Sequence, residues 1–173
     1  MKARITIFIT LIAAFLLFAS RNMITWEDWY NTEHGDALYS IKQTADSGYI
    51  AGGYYTYQID QDWYTPHARL IRLDKYGEVL WESYYAWSEI AIADIKSVIE
   101  DSDGNFVTTG IDIGSISILK FDKDGNLLWN KYYGRGDSEG YDIKESPDGG
   151  YVVAGLERGR ATNPLLYHPM TTT

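Results

Sequence analysis

The chain has 173 residues, 45% hydrophobic and 23% charged, a balance that suits a folded domain and excludes a disordered or collagen-like one. Its 24 acidic against 15 basic residues give a formal charge of −9, which repels phosphate backbones and argues against a nucleic-acid partner. With no cysteine, the chain forms no disulfide, no lipidated N-terminal cysteine and no thiolate metal site.

Residues 1–20 read as a leader. Lys2 and Arg4 precede an apolar run at residues 5–19, broken only by Thr6 and Thr10. That plan predicts a secretory signal peptide, or an N-terminal membrane anchor if it is not cleaved, because the run is shorter than a comfortable span of about 20 residues. Without its two cations the rest of the chain carries 13 basic and 24 acidic residues, a formal −11. A secreted or cell-envelope location is therefore expected, with membrane contact only through residues 5–19.

The remainder is organised by a repeat. FDKDGNLLWNKYY at 121–133 restates LDKYGEVLWESYY at 73–85, 48 positions earlier, and both read as a hairpin turning at Asp-x-x-Gly into a Trp-bearing strand. Trp26, Asp28 and Tyr30 align with Trp81, Ser83 and Tyr85, giving a further copy of the Trp strand with no hairpin partner before it. A second repeated element pairs Ser40-Ile41, Ser97-Val98 and Asp142-Ile143 with strands ending at Gly53, Gly110 and Gly155. Each unit thus has four short strands. Units of this kind bury little alone and gain a core by stacking, so Trp26, Trp81 and Trp129 are expected as structural contacts between units, with the three glycines where backbones approach.

These motifs, with Gly149-Gly150-Tyr151-Val152-Val153-Ala154-Gly155 and Leu119 to Trp129 as the fullest copies, resemble the tandem repeat of secreted bacterial and archaeal β-propeller proteins, a group akin to quinoprotein-like propellers. The resemblance implies an all-β fold: a partial β-propeller of about two and a half four-stranded antiparallel blades at 26–158, after an N-terminal apolar leader helix. Blade one would be 36–85, blade two 93–133 and a partial blade three 140–158, followed by an irregular tail at 159–173 in which a short strand at 165–167 is conceivable. The chain departs from the family in its length and in lacking the second half of unit three. Exposed blade edges predict self-association, the strand at 26–30 completing the third unit of a neighbour; a truncated product of a longer gene is the rival explanation.

Candidate chemistry is sparse. Asp101, Asp103, Asp122 and Asp124 lie in D-x-D-G-N turns that begin like a calcium loop, but glycine falls fourth instead of sixth and no twelfth glutamate follows, so turn capping competes with calcium; no other cofactor is expected. Gly53 to Asp74 is 21 positions against 12 from Gly110 to Asp122, and this longer first loop contains Tyr57, Asp60, Asp62, Trp63 and Tyr64. Rings beside carboxylates suit stacking on, and hydrogen bonding to, a glycan or peptide, with Trp87 able to join them, although packing over a sheet edge is the plainer reading. His34, His67 and His168 share no ligand spacing. The expectation is a non-catalytic binding or scaffolding module of the cell envelope or exterior. Its alternatives are a propeller fragment without independent function and a carbohydrate-active or quinoprotein-like enzyme fragment.

Overall fold

The computed structural model describes residues 35–134 and 136–157 and the backbone of 165–167. Eleven strands appear among the described residues: β1 (Asp36–Gln43), β2 (Tyr49–Gln58), β3 (Tyr64–Leu73), β4 (Val79–Tyr85), β5 (Ala93–Glu100), β6 (Phe106–Asp112), β7 (Ser115–Phe121), β8 (Leu127–Tyr133), β9 (Glu139–Glu145), β10 (Tyr151–Leu156) and β11 (Leu165–Tyr167). They form three antiparallel sheets, β1-β2-β3-β4, β5-β6-β7-β8 and β9-β10-β11, in which chain neighbours pair with one another.

One turn chemistry joins most of these hairpins. Asp74 N–H donates to Glu78 O at 2.9 Å and Asp122 N–H to Asn126 O at 2.9 Å, and Gly77 and Gly125 take φ of 92° and 85°. The aspartate carboxylate completes the turn by accepting backbone N–H groups, for instance those of Tyr76 at 2.7 Å and Glu78 at 3.0 Å on Asp74. A left-handed residue closing a short loop matches the right-handed twist of the strands, which is why D-x-x-G recurs where β3 meets β4 and β7 meets β8.

A further repeated feature is a bulge in the first strand of each sheet. Pairing slips between Leu38 and Ser40, between Ile95 and Ser97, and opposite Ala154/Gly155, making Tyr39, Lys96 and Tyr141 the bulged residues. The glycines singled out from the sequence face these bulges. A Cβ on Gly53 would stand 1.8 Å from Ala37 O, one on Gly110 2.0 Å from Asp94 O and one on Gly155 2.4 Å from Glu139 O. Only a residue with no side chain lets the bulged backbone come this close.

The sheets stack in a row. Ile50, Ala68 and Leu70 of the first sheet pack on Ile95, Val98, Phe106, Leu119 and Phe121 of the second, with Trp81 at the margin. Val107, Ile116 and Ile118 on the other face of the second sheet pack on Ile143, Tyr151 and Val153 of the third, with Trp129 at the margin. The middle sheet is therefore covered on both faces, and its strands β6 and β7 are buried almost throughout. Trp81 sits opposite Arg72 and Trp129 opposite Lys120, the same place in two sheets.

The propeller expectation, and with it the resemblance to the secreted propeller family, is corrected by this arrangement. The sheets are uncurled, and among the described residues packing runs from the first to the second and from the second to the third without returning to close a ring. No helix occurs among the described residues, and none of them is long and apolar enough as a helix to cross a membrane. Residues 1–20, on which leader and membrane anchor were placed, lie outside the described residues, as do Trp26 and most of 159–173. The physical reason for the failed ring is that a Trp hairpin encodes one sheet and its contact with the next. It carries no instruction for the curl and number of sheets that bring the last back to the first.

Candidate functional site

The longer connection in the first unit proves to be mostly strand. β2 and β3 run for ten residues each, against seven for β6 and β7, and only 59–63 turns. Asp60 is spent on that turn, its Oδ1 accepting the N–H groups of Asp62 at 3.0 Å and Trp63 at 2.8 Å. Trp63 stands at the tip, 51% exposed, and Tyr64 opens β3 within reach of Gln58 Nε2, which donates to its hydroxyl at 3.3 Å. Of the five proposed ligand-binding residues, the hairpin carries only Tyr57 into a concave site.

That site is a groove of about 390 Å³ at the end of the first sheet where β2 and β4 finish, lined by Tyr55, Tyr57, His67, Tyr84, Tyr85 and the segment containing Glu89. Strand geometry assembles it. Tyr55 and Tyr57 are two apart on β2 and share a face, and His67 on β3 pairs with Tyr55. The Tyr57 ring lies flat on the His67 imidazole, with centroids 4.8 Å apart at 12°, while Tyr55 meets His67 edge-on at 5.8 Å. Tyr84 closes the other side, 4.4 Å from Tyr55.

Behind the rings the polar groups are tied down. His67 is nearly buried, and its Nε2 donates to Glu89 O at 3.0 Å, which places the proton on that nitrogen. Tyr84 donates to Glu82, and burial together with that carboxylate pushes its hydroxyl up to about 12. Glu82 in turn takes two bonds from Arg69, at 3.1 and 3.2 Å, and the buried guanidinium also holds Asp36 at 2.9 Å. By contrast the hydroxyls of Tyr55 and Tyr57 have no hydrogen-bond partner among the described residues, and the exposed Glu89 carboxylate has no ion pair there.

The groove floor is joined to the second sheet. Tyr85 and Tyr132 hydroxyls are 2.8 Å apart, Asn130 Nδ2 donates to Tyr85, and Tyr132 donates to Asp112 Oδ2 at 3.1 Å. Asp112 is 1% exposed; Trp87 N–H also donates to its Oδ2, and its Oδ1 has no hydrogen-bond partner. Burial raises its carboxyl above the usual range, and Asp112 and Tyr85 raise the Tyr132 hydroxyl further above what burial alone does. Trp87 is joined here, as an edge-on neighbour of Tyr132 at 5.8 Å, and it does not line the groove.

A second hollow, of about 300 Å³, lies between the second and third sheets beside Ser102, Asp103, Lys120 and Glu145. Its one ammonium group is already committed. Lys120 Nζ lies 2.8 Å from Asp101 Oδ2 and 3.1 Å from the Tyr151 hydroxyl, which also donates to Asp101 at 2.8 Å. Burial would raise Asp101, yet the bonds from Lys120 and Tyr151 bring it below the usual carboxylate range. Asp101 Oδ1 caps Asp103 and Asn105, and Asp122 Oδ1 caps Asp124 and Asn126. The aspartates considered for calcium thus do not converge, and among the described residues no three His, Cys, Asp or Glu side chains are grouped to hold a metal.

Sequence reasoning missed Tyr55, His67, Tyr84 and Asp112 as a set. The alternation of Tyr55 and Tyr57 was a visible signal; the register that puts His67 beside them was not.

Together the fold and groove define a stacked all-β domain with a tyrosine-lined surface cleft. No family model matches the chain, and no curated protein matches it.

Proposed function

We propose that this chain is a non-catalytic binding module of the cell envelope or exterior, and that its tyrosine groove holds a glycan. The observation that carries this reading is the Tyr57–His67 stack beside two tyrosine hydroxyls that the described residues leave free. Sugar rings present an apolar face to such a stack and hydroxyls to its rim, and tyrosine offers both at little entropic cost. The acidic chain and the exposed Glu89 favour neutral or amino-bearing sugars over sulfated ones.

A panel of neutral, amino-bearing and sulfated glycans together with peptides, probed with the full chain, tests this. Binding should appear among the neutral or amino-bearing glycans, and Tyr57→Ala should weaken it roughly tenfold, the equivalent of about 1.4 kcal/mol. Trp63→Ala, at the hairpin tip, should leave it near wild type. Equal signals from wild type and Tyr57→Ala, or binding confined to peptides, would contradict the assignment.

A further inference from the structure

A platform for stacking a sugar needs one ring plane, and the groove has more than one. Tyr55 and Tyr57 stand at 75° to each other with centroids 6.4 Å apart, and Tyr55 and Tyr84 at 59° and 4.4 Å. Three tyrosines thus present differently inclined planes around a hollow of about 390 Å³. Each aromatic face is the negative part of a quadrupole, and a cation within about 6 Å of several faces is attracted by all of them. The Tyr84 ring is made more electron-rich because its hydroxyl donates to the Glu82 carboxylate.

A carboxylate is brought to the same hollow by the strand beneath. Thr65 and His67 are two apart on β3 and share a face, and each binds a carbonyl of the segment after β4. Thr65 Oγ1 donates to Ala91 O at 3.3 Å and His67 Nε2 to Glu89 O at 3.0 Å, while Ala91 N–H donates to Ser88 O at 3.0 Å. These bonds tie the main chain of 88–91 to β3 and set the exposed Glu89 in the groove lining. Arg69, the cross-strand neighbour of Tyr84, is neutralised by Asp36 at 2.9 Å and Glu82 at 3.1 Å, so it does not oppose a second positive charge.

We propose that the groove is a cage for a protonated amine with Glu89 as counter-charge, so that it selects N-deacetylated amino sugars over their N-acetylated and neutral counterparts. This rests on the glycan reading of the groove and names the sugar group that the rings and Glu89 recognise. An acetamide carries no charge and forfeits both the attraction to the ring faces and the ion pair. The acidic chain, formally −9, draws cations to its surface in general, so the preference must be traced to Glu89 and not to overall charge.

An N-acetylglucosamine trisaccharide and its fully N-deacetylated counterpart are titrated calorimetrically into the full chain at a pH where the amines are protonated. The deacetylated sugar should bind roughly tenfold more tightly, and the ratio should fall as salt is raised. Glu89→Gln should remove most of that preference, whereas Asp62→Asn, which removes the same charge at the exposed hairpin tip, should leave it unchanged. Equal binding of the two sugars, a preference untouched by Glu89→Gln, or one lost equally in Asp62→Asn would overturn the amine assignment and leave the glycan reading standing. Binding of neither sugar would overturn it too, and if no glycan of the wider panel binds, the glycan reading falls with it.

Discussion

The two seams of the stack use the same repeat position differently. In the seam between the first and second sheets, Trp81 meets the Phe106 ring at 5.8 Å; in the next seam, Trp129 meets Tyr151 at 6.0 Å and a similar tilt. Phe106 has no hydroxyl, and the cation opposite it, Arg72, lies over the ring at 5.8 Å and spends its hydrogen bonds on Tyr49 O and the exposed Asp46. Tyr151 has one, and Lys120 is drawn to it and to the buried Asp101. The first seam is thus fastened by apolar packing and by the Trp81 indole donating to Lys123 O of the β7–β8 hairpin, and the second by the Tyr151 hydroxyl, which reaches across to the Lys120–Asp101 pair of the middle sheet. The same carboxylate stitch serves both, Glu100 accepting from Ala45 N–H at 2.7 Å and Glu145 from Ser102 N–H at 2.9 Å.

Three measurements break or sharpen this contrast. The largest effect is expected from Lys120→Met, which leaves Asp101 buried without its counter-charge and should cost about 3 kcal/mol in urea unfolding at neutral pH. Asp101 lies below its ordinary value in the folded protein, so its stabilisation is complete above 3.8 and is lost as pH falls from there through the folded value. The deficit of Lys120→Met against wild type should accordingly shrink on acidification through that window. A deficit that does not change with pH would remove the ion pair from the account.

Next comes the pair Trp81→Ala and Trp129→Ala. Both rings are half-buried, and large-to-small aromatic changes cost 3–5 kcal/mol when burial is complete, so roughly 2–3 kcal/mol is expected for Trp81. Trp129 has the ring contact without a described hairpin clamp, and its loss should be smaller by about 1 kcal/mol, the worth of a hydrogen bond. Equal losses by denaturant titration would mean that the clamp contributes nothing.

Much of the secondary structure was readable before the coordinates. The repeated Asp-x-x-Gly hairpin, the Trp strand and the three glycines are local features, each set by φ, turn chemistry or close backbone approach, and local features survive the reading of one sequence. Closure of a ring is not local. It depends on how far each sheet curls and on how many follow, and the 48-residue spacing of Trp81 and Trp129 is silent on both. The groove lay between these extremes. Tyr57 was singled out, but Asp60, taken as a ligand contact, caps its own turn, and His67 and Tyr84 enter only through the pairing of β2, β3 and β4. The carboxylates of Asp101 and Asp122 looked like metal ligands because the residues that cap a turn are the residues that bind calcium.

The central physical claim is that each strand owes its stability to cover on its two faces, so the strands buried on both should open least. Amide hydrogen exchange read peptide by peptide in the wild type tests this directly. Peptides from β3, β6 and β7 should exchange slowest, with β9 and β10 measurably faster because one of their faces has no described cover. Exchange in β9–β10 as slow as in β6–β7, or slower, would contradict the account.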